Sequence, residues 1–126
     1  REKVKVVRSI KPENQIKRRI KELNSIFSAM DEDHKKVVTP LIDFAAHMEA
    51  NIRKLDKDLE EVGFVEEYSN GENQTGKKES TESRAYSTMI KNYTGVIRTL
   101  LSCLPESDQP AAEDELGEFL RSRMKK

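Results

Sequence analysis

Only a few side chains combine a reactive type with a spacing that could support chemistry. Asp43 and His47 stand four residues apart, so on a helix they share one face and could form an ion pair or bind a metal ion. Both fall outside the apolar pattern of their segment, which favours a surface ion pair. The acidic run Asp31–Asp33 beside His34 also resembles a set of ligands, but at a junction of helices it is typical of a cap and a solvated turn.

Motifs for catalysis are missing from the sequence. Cys103, the only cysteine, has no histidine on its helix and is interpreted as a core residue. A glycine-rich phosphate loop with lysine, the zinc-protease pattern HExxH, paired CxxC motifs and the nucleophile pattern GxSxG do not occur. We therefore expect a protein that is not an enzyme, with no catalytic residues, no metal site and no cofactor.

The distribution of charge is more informative than its total. Charged residues make up 37% of the 126 residues and hydrophobic residues 35%, which indicates a thin core, as in elongated helices, a partly disordered chain or an oligomer. Residues 1–21 carry nine Lys/Arg and two Glu, a local charge of +7, although the whole chain is neutral. This predicts a polyanionic partner or an acidic neighbouring subunit; a solvated terminus is the alternative.

The expected environment is intracellular. One cysteine cannot form an intramolecular disulfide, and no apolar run approaches the roughly 20 residues that a membrane span requires. No signal-peptide pattern is visible. We expect no contact with a membrane.

Apolar spacing predicts an N-terminal helix and a longer second helix. Pro12 suits the first turn of the N-terminal helix, which is expected to end near Asp31–Asp33. In the second helix the apolar residues recur with a strict 3.5-residue period, which indicates a seam against a partner helix, and Gly63 is placed to end it. Thr39 and Pro40 either begin this helix or kink one that starts near Asp33. The predicted seam is Val38, Leu41, Ala45, Met48, Ile52, Leu55, Leu59 and Val62.

A third helix follows the polar stretch that runs from Tyr68 to Ser83. Its main apolar row extends from Tyr86 to Leu104 with the same period; Ser80 or Thr81 is the expected cap and Pro105 the stop. A second apolar row lies beside the first, so one partner helix cannot cover this surface. That second row is Met89, Val96 and Cys103. A last helix is predicted from about Pro110 to Met124.

The predicted fold class is all-α. The two seam helices, about 40–62 and 82–104, have similar lengths and the same period, which favours an antiparallel helical hairpin that assembles into an oligomer. The polar stretch is then the tip of the hairpin, and it is longer than the turn requires. The predicted segments are 1–35 as basic arm and helix, 36–105 as the oligomerisation hairpin, and 106–126 as a charged C-terminal helix.

Residues 38–105 resemble the small subunit of phage DNA-packaging terminases, in the branch typical of long non-contractile-tailed phages. The resemblance rests on LxxxLxxxG (Leu55, Leu59, Gly63), the NQTGKK loop (Asn73–Lys78), the Tyr86 to Tyr93 helix start and the closing LLSCLP (Leu100–Pro105). Members often have a proline where the helix after the loop begins, and KESTESRAY has none. The resemblance implies a non-enzymatic ring of subunits in the host cytoplasm that binds double-stranded viral DNA and delivers it to the large terminase subunit.

The family and the charge pattern together predict the site residues. DNA contacts are expected from the basic N-terminal segment, with the tip of the polar stretch as a second candidate. The residues are Lys3, Lys5, Arg8, Lys11, Lys17, Arg18, Arg19, Lys21, Lys77 and Lys78. Lys17, Arg18 and Arg19 span nearly a full turn, so at least one of them is expected to be solvated or paired. The expected oligomer interface is Met89, Tyr93, Val96 and Leu100.

An alternative function remains open from the residues alone. The same helices could form a protein–protein adaptor or regulator that does not bind DNA, with a basic arm that only aids solubility. Salt-dependent binding to duplex DNA distinguishes the two hypotheses.

Overall fold

The helices predicted from apolar spacing dominate the structure. A computed structural model describes residues 11–69 and 75–124, and within these ranges the chain is mostly helical, so the all-α class is confirmed. A two-stranded antiparallel ribbon lies between the second and third helices, and a 3-10 turn precedes the fourth. The elements are α1 (Pro12–Ile26), α2 (Glu32–Val62), β1 (Val65–Ser69), β2 (Thr75–Glu79), α3 (Thr81–Ser102), the 3-10 turn (Glu106–Asp108) and α4 (Gln109–Met124).

The start of α2 lies earlier than the predicted position near residue 40. Asp31 caps the helix, because its side chain accepts a 2.9 Å hydrogen bond from the His34 backbone N–H. Pro40 lies inside the helix, which corresponds to the second of the two alternatives that the sequence leaves open. The N-terminal helix also ends earlier than expected, at Ile26. With 31 residues, α2 is the longest element of the described chain.

The junction after α2 depends on one glycine and one serine. Gly63 has φ +90°, in the region that side chains rarely adopt, and its N–H bonds the Leu59 carbonyl at 2.8 Å. The Ser80 hydroxyl donates a 2.7 Å hydrogen bond to the Gly63 carbonyl and accepts one from the Ser83 N–H at 3.0 Å. Ser80 therefore caps α3, as expected, and also ties its start to the end of α2.

The polar stretch contains more structure than the predicted loop. Val65 to Ser69 pairs with Thr75 to Glu79 in antiparallel register, with Glu67 opposite Lys77. The pattern of charges and small residues hid these strands, because neither shows the apolar alternation of a buried strand. Residues 70–74, the centre of the predicted tip, lie outside the described residues.

One hydrophobic core joins the four helices. Its most buried members include Leu23 on α1, Ile52 on α2, Leu100 on α3 and Leu116 on α4. The predicted boundary between residues 35 and 36 falls inside α2, so the segments proposed from the sequence share this core. No helix in the described part of the chain has the length and apolar content for crossing a membrane.

The α2 seam is rotated from its predicted position. Half of the predicted seam is buried, and the other half is partly or largely exposed. The buried half is Val38, Ala45, Ile52 and Leu59; the exposed half is Leu41, Met48, Leu55 and Val62. Ile42, Ala46 and Glu49 occupy the remaining core positions, at 1% relative exposure each. An apolar pattern could not reveal this rotation, since Glu49 is charged.

Candidate nucleic-acid interface and the buried polar network

The outward face of α1 is basic. Lys17, Arg18 and Lys21 are exposed and lie within about 100° of one another around the helix, opposite the buried Leu23. Lys11, exposed at the N-cap, extends this set at the start of the helix. The predicted contacts Lys3, Lys5 and Arg8 lie outside the described residues. Because the exposed basic side chains share one side of a helix, they could contact phosphates along one strand of a duplex.

A shallow depression of about 390 Å³ continues the basic face toward α2. Lys21 and Lys35 line it together with Asn24, so ammonium and amide groups that suit a phosphate lie close together. The Ser25 and Thr39 hydroxyls also line this depression. They donate their protons to the Glu22 and Lys35 carbonyls, so they have only acceptor lone pairs left for a ligand. Lys35 was not predicted from the sequence because it lies beyond the basic N-terminal segment. Its Nζ is 4.0 Å from Oε2 of Glu32.

Arg19 does not belong to this basic face, which corrects its predicted role in binding DNA. Its Nε lies 2.9 and 3.0 Å from the two carboxylate oxygens of Glu49. Its remaining nitrogens contact Glu22 Oε1 at 3.2 Å and the Glu115 carbonyl at 3.3 Å. The side chain is only 17% exposed, so Arg19 is the paired member of the Lys17–Arg19 run.

Glu49 is the centre of a buried polar network that links three helices. Arg19 reaches it from α1, and the Tyr93 hydroxyl donates a 2.6 Å hydrogen bond to Glu49 Oε2 from α3. Burial lowers the pKa of Arg19, but the charge of Glu49 and the bonds to it outweigh burial and raise the pKa overall. Burial also raises the pKa of Tyr93 well above its ordinary value, and Glu49 raises it further. The expected state is a charged pair with a neutral phenol.

A second cluster connects α4 to α2. Arg123 forms an ion pair with Asp56, and its guanidinium lies 4.6 Å from the centre of the Phe119 ring. Arg53 approaches the same ring at 5.0 Å. Phe119 also meets Tyr93 edge-on at 5.4 Å between ring centres. A cavity of about 270 Å³ lies between the two clusters, lined by three arginines and three glutamates. Because these charges balance, we assign the clusters a structural role.

Lys77 and Lys78, the second predicted DNA contact, lie exposed on β2. Glu67 stands directly opposite Lys77 on β1, and Glu66 is the register partner of Lys78. The charge of Glu67 directly opposite Lys77 reduces the net positive field at that position. The ribbon is therefore less suited to phosphate than the face of α1.

Two of the four residues predicted for an oligomer interface are core residues instead. Tyr93 and Leu100 are fully buried within the chain, at 0% relative exposure, so they cannot contact a second copy. Met89 and Val96 are partly exposed and remain available. The main apolar row of α3 is thus used within the chain, and only the second row faces outward.

The histidine–carboxylate pairs lie at the surface. His47 Nδ1 is 3.7 Å from Asp43 Oδ2, with both side chains more than half exposed. His34 Nδ1 lies 2.7 Å from Asp31 Oδ1. The pKa of Asp31 is lowered, mainly by the hydrogen bond from the His34 backbone N–H and to a smaller extent by this side-chain contact. Within residues 11–69 and 75–124, no cluster of three or more His, Cys, Asp or Glu side chains could hold a metal ion.

Comparison with known proteins identifies no relative. No protein-family model, no curated protein and no solved structure matches this chain.

Proposed function

We propose that this chain is a non-enzymatic DNA-packaging subunit of the terminase small-subunit type. It binds double-stranded viral DNA in the host cytoplasm, assembles into an oligomeric ring and delivers the DNA to a large terminase subunit. The observation that carries the DNA-binding part is the basic outward face of α1, formed by Lys11, Lys17, Arg18 and Lys21. The packaging role and its partners rest on the resemblance of residues 38–105.

The side of α1 that faces the core supports this proposal. Arg19 joins α1 to Glu49 on α2, and Leu23 packs into the core on the same side of the helix. The basic residues are therefore presented on a helix of fixed orientation, which costs less ordering entropy on binding than a disordered arm would. Such contacts neutralise phosphates and position the duplex, while the bases are read elsewhere if at all.

The packing of α2 and α3 supports the assembly part. Glu49 contacts Tyr93, Asp56 contacts Tyr86, and Gly63 contacts Ser80. As the residue number increases along α2, the residue number of the partner at α3 decreases. This order of contacts fits the antiparallel pair of α2 and α3 from which we propose that the ring is built. The outward row containing Met89 and Val96 provides a surface for neighbouring subunits.

Duplex binding as a function of salt tests the DNA contact. The variant Lys11→Ala/Lys17→Ala/Arg18→Ala/Lys21→Ala keeps Arg19 and so keeps the junction between α1 and α2. We expect weaker binding and a plot of log K against log salt that is shallower by about 3 to 4, because each phosphate contact contributes about 0.9 to the slope. Deleting residues 1–21 would be a poorer test, since it also removes the partner of Glu49.

The matched control removes the same four charges elsewhere. Exposed basic residues on α2 and α3 serve this purpose: Lys54→Ala/Lys57→Ala/Lys91→Ala/Arg98→Ala. Equal loss of binding in both variants would mean that only net charge matters and would refute a defined interface on α1. If the unmodified chain ignores duplex DNA at low salt, the adaptor function replaces the proposal.

A further inference from the structure

The α2–α3 pair has an open face on the side away from α1 and α4. On α2 its positions follow steps of four and three from Val37 to Val62. On α3 they follow the same steps from Ala85 to Cys103, the residue that caps the end of the helix. We call these positions the open face: Val37, Leu41, Phe44, Met48, Asn51, Leu55, Asp58 and Val62 on α2, and Ala85, Met89, Asn92, Val96, Thr99 and Cys103 on α3. Val37, Phe44 and Val62 are 61%, 55% and 44% exposed.

Contacts of the other helices identify this side as the open one. Arg19 of α1 reaches Glu49, and Phe119 of α4 lies against Arg53 and Tyr93. Glu49 and Arg53 follow the buried seam of α2 on one side, whereas Met48 and Phe44 follow it on the other. Because α2 and α3 run in opposite directions, the Met48 row and the Val96 row fall on the same side of the pair.

The register places the apolar residues of the open face in regular rungs. With Tyr93 beside Glu49 and Tyr86 beside Asp56, Val96 lies about 3 Å along the pair from the level of Met48. Cys103 and Met89 stand in the same relation to Leu41 and Leu55. The rungs recur every seven residues, about 10.5 Å at 1.5 Å per residue. This spacing is the repeat with which helices pack side by side over long distances.

The open face is nearly free of charge. Asp58 is the one charged residue among its fourteen positions, whereas 37% of the chain is charged and about five would be expected by composition. A solvated helix surface of this protein would carry many more charges. A face so depleted in charge and with exposed aromatic and aliphatic side chains is typical of a protein–protein interface.

We propose that the open face binds the open face of a second copy of this chain, so that two α2–α3 pairs form a four-helix interface. Evenly spaced rungs on one copy match those on another, which makes the face complementary to itself about a two-fold axis. Its area is about 600 Å² per copy from the helix dimensions. The total of about 1,200 Å² is at the lower end of the range for stable interfaces.

This inference rests on the assembly part of the proposed function and names one of its contacts. The two-fold contact joins subunits in pairs, and a ring of such pairs closes through a second, different contact. Nucleic acid does not suit the face, because it offers no cations to phosphate. The Val96 row is the half of the predicted interface that remains exposed, while the α2 half, which includes Phe44, was not predicted.

Two phenylalanine variants provide the test. Phe44→Glu places a charge on the open face, and the matched control Phe64→Glu places the same charge at a phenylalanine outside it, with 64% exposure against 55%. Val37→Glu is a second variant on the face, at an equally exposed site. Molecular mass is measured by sedimentation over a range of concentrations, with circular dichroism as the check that each variant is folded.

We expect the unmodified chain and Phe64→Glu to associate, and Phe44→Glu and Val37→Glu to lose at least half of the associated mass while remaining folded. A monomeric unmodified chain at all concentrations would overturn the inference. An unchanged mass for both face variants would overturn it too and would assign the face to a different partner. Duplex binding is measured separately on the α1 variants, so failure of the interface and failure of DNA binding are told apart.

Discussion

The Tyr93 hydroxyl donates a 2.6 Å hydrogen bond to Glu49 Oε2, and this contact between α3 and α2 is fully enclosed in the core. A buried carboxylate is stable only if its charge and its lone pairs are satisfied. Arg19 supplies the charge and Tyr93 supplies a further donor. The pair therefore makes the position of α1 depend on the contact between the other two helices.

Removing the Tyr93 hydroxyl should destabilise the fold measurably. For Tyr93→Phe we expect a loss of about 1–3 kcal/mol in the free energy of unfolding, because Glu49 loses a donor in a buried site. Tyr86→Phe is the control: Tyr86 also bonds a carboxylate, Asp56, but it is only partly buried, so its loss should be smaller. Urea denaturation measures both. Equal losses would show that enclosure of the Tyr93 contact adds nothing.

The stability of the fold at alkaline pH should depend on Tyr93. Burial, reinforced by Glu49, raises the pKa of Tyr93 above its ordinary value of 10.0. In the unfolded chain the phenol ionises near that value, whereas in the folded chain it stays neutral, so its stabilising contribution is complete below about pH 10 and decreases above it. Stability should fall more steeply above this pH in the unmodified chain than in Tyr93→Phe. Parallel profiles would contradict the assignment.

Substitution of Arg19 should affect stability much more than substitution of its neighbours Lys17 and Arg18. Arg19→Gln removes the nearest charged partner of the buried Glu49 and leaves only Arg53, at 3.9 Å, so we expect a loss of about 3 kcal/mol in the free energy of unfolding. Lys17→Gln and Arg18→Gln, at exposed positions of the same helix, should change stability by less than about 0.5 kcal/mol. Thermal and urea denaturation measure the difference. A stable Arg19→Gln would return Arg19 to the list of candidate DNA contacts.

Two glycines should respond in opposite directions to alanine. Gly63 has φ +90°, so Gly63→Ala forces a side chain into a strained conformation and should cost about 1–3 kcal/mol. Gly95 lies within α3 with nothing within 4 Å of an added Cβ, so Gly95→Ala should stabilise the chain by up to about 1 kcal/mol. Melting temperatures of the two variants give the comparison. Similar shifts would mean that the Gly63 backbone relaxes.

The sequence predicted the helices well because their apolar residues and end signals agree. Pro12 begins α1, Gly63 ends α2 and Ser80 caps α3, and each residue acts through its own backbone or hydroxyl group. The early start of α2 was harder to choose, because Asp31 competes with the second possible start at Thr39 and Pro40. An interior proline costs one backbone hydrogen bond, which the packing around Val38 and Ile42 offsets.

The candidate site was less predictable, because it depends on which side of each helix is covered. The charges of residues 11–21 were evident, but the sequence could not separate Arg19 from Lys17 and Arg18 without the position of Glu49. Glu49 itself stands among charged and apolar neighbours with no mark of burial. In the same way, the periodic rows of α3 could not show that Tyr93 faces inward while Val96 faces outward.

The length of α2 has a consequence for how the chain opens. Arg19 of α1, Tyr93 of α3 and Arg123 of α4 all contact this one helix, at Glu49 or Asp56. If the middle of α2 unfolds locally, all three neighbours lose a charged or hydrogen-bonded contact together. Backbone amides near Glu49 should therefore exchange with deuterium only when the whole chain unfolds, whereas those of the ribbon should exchange through local openings.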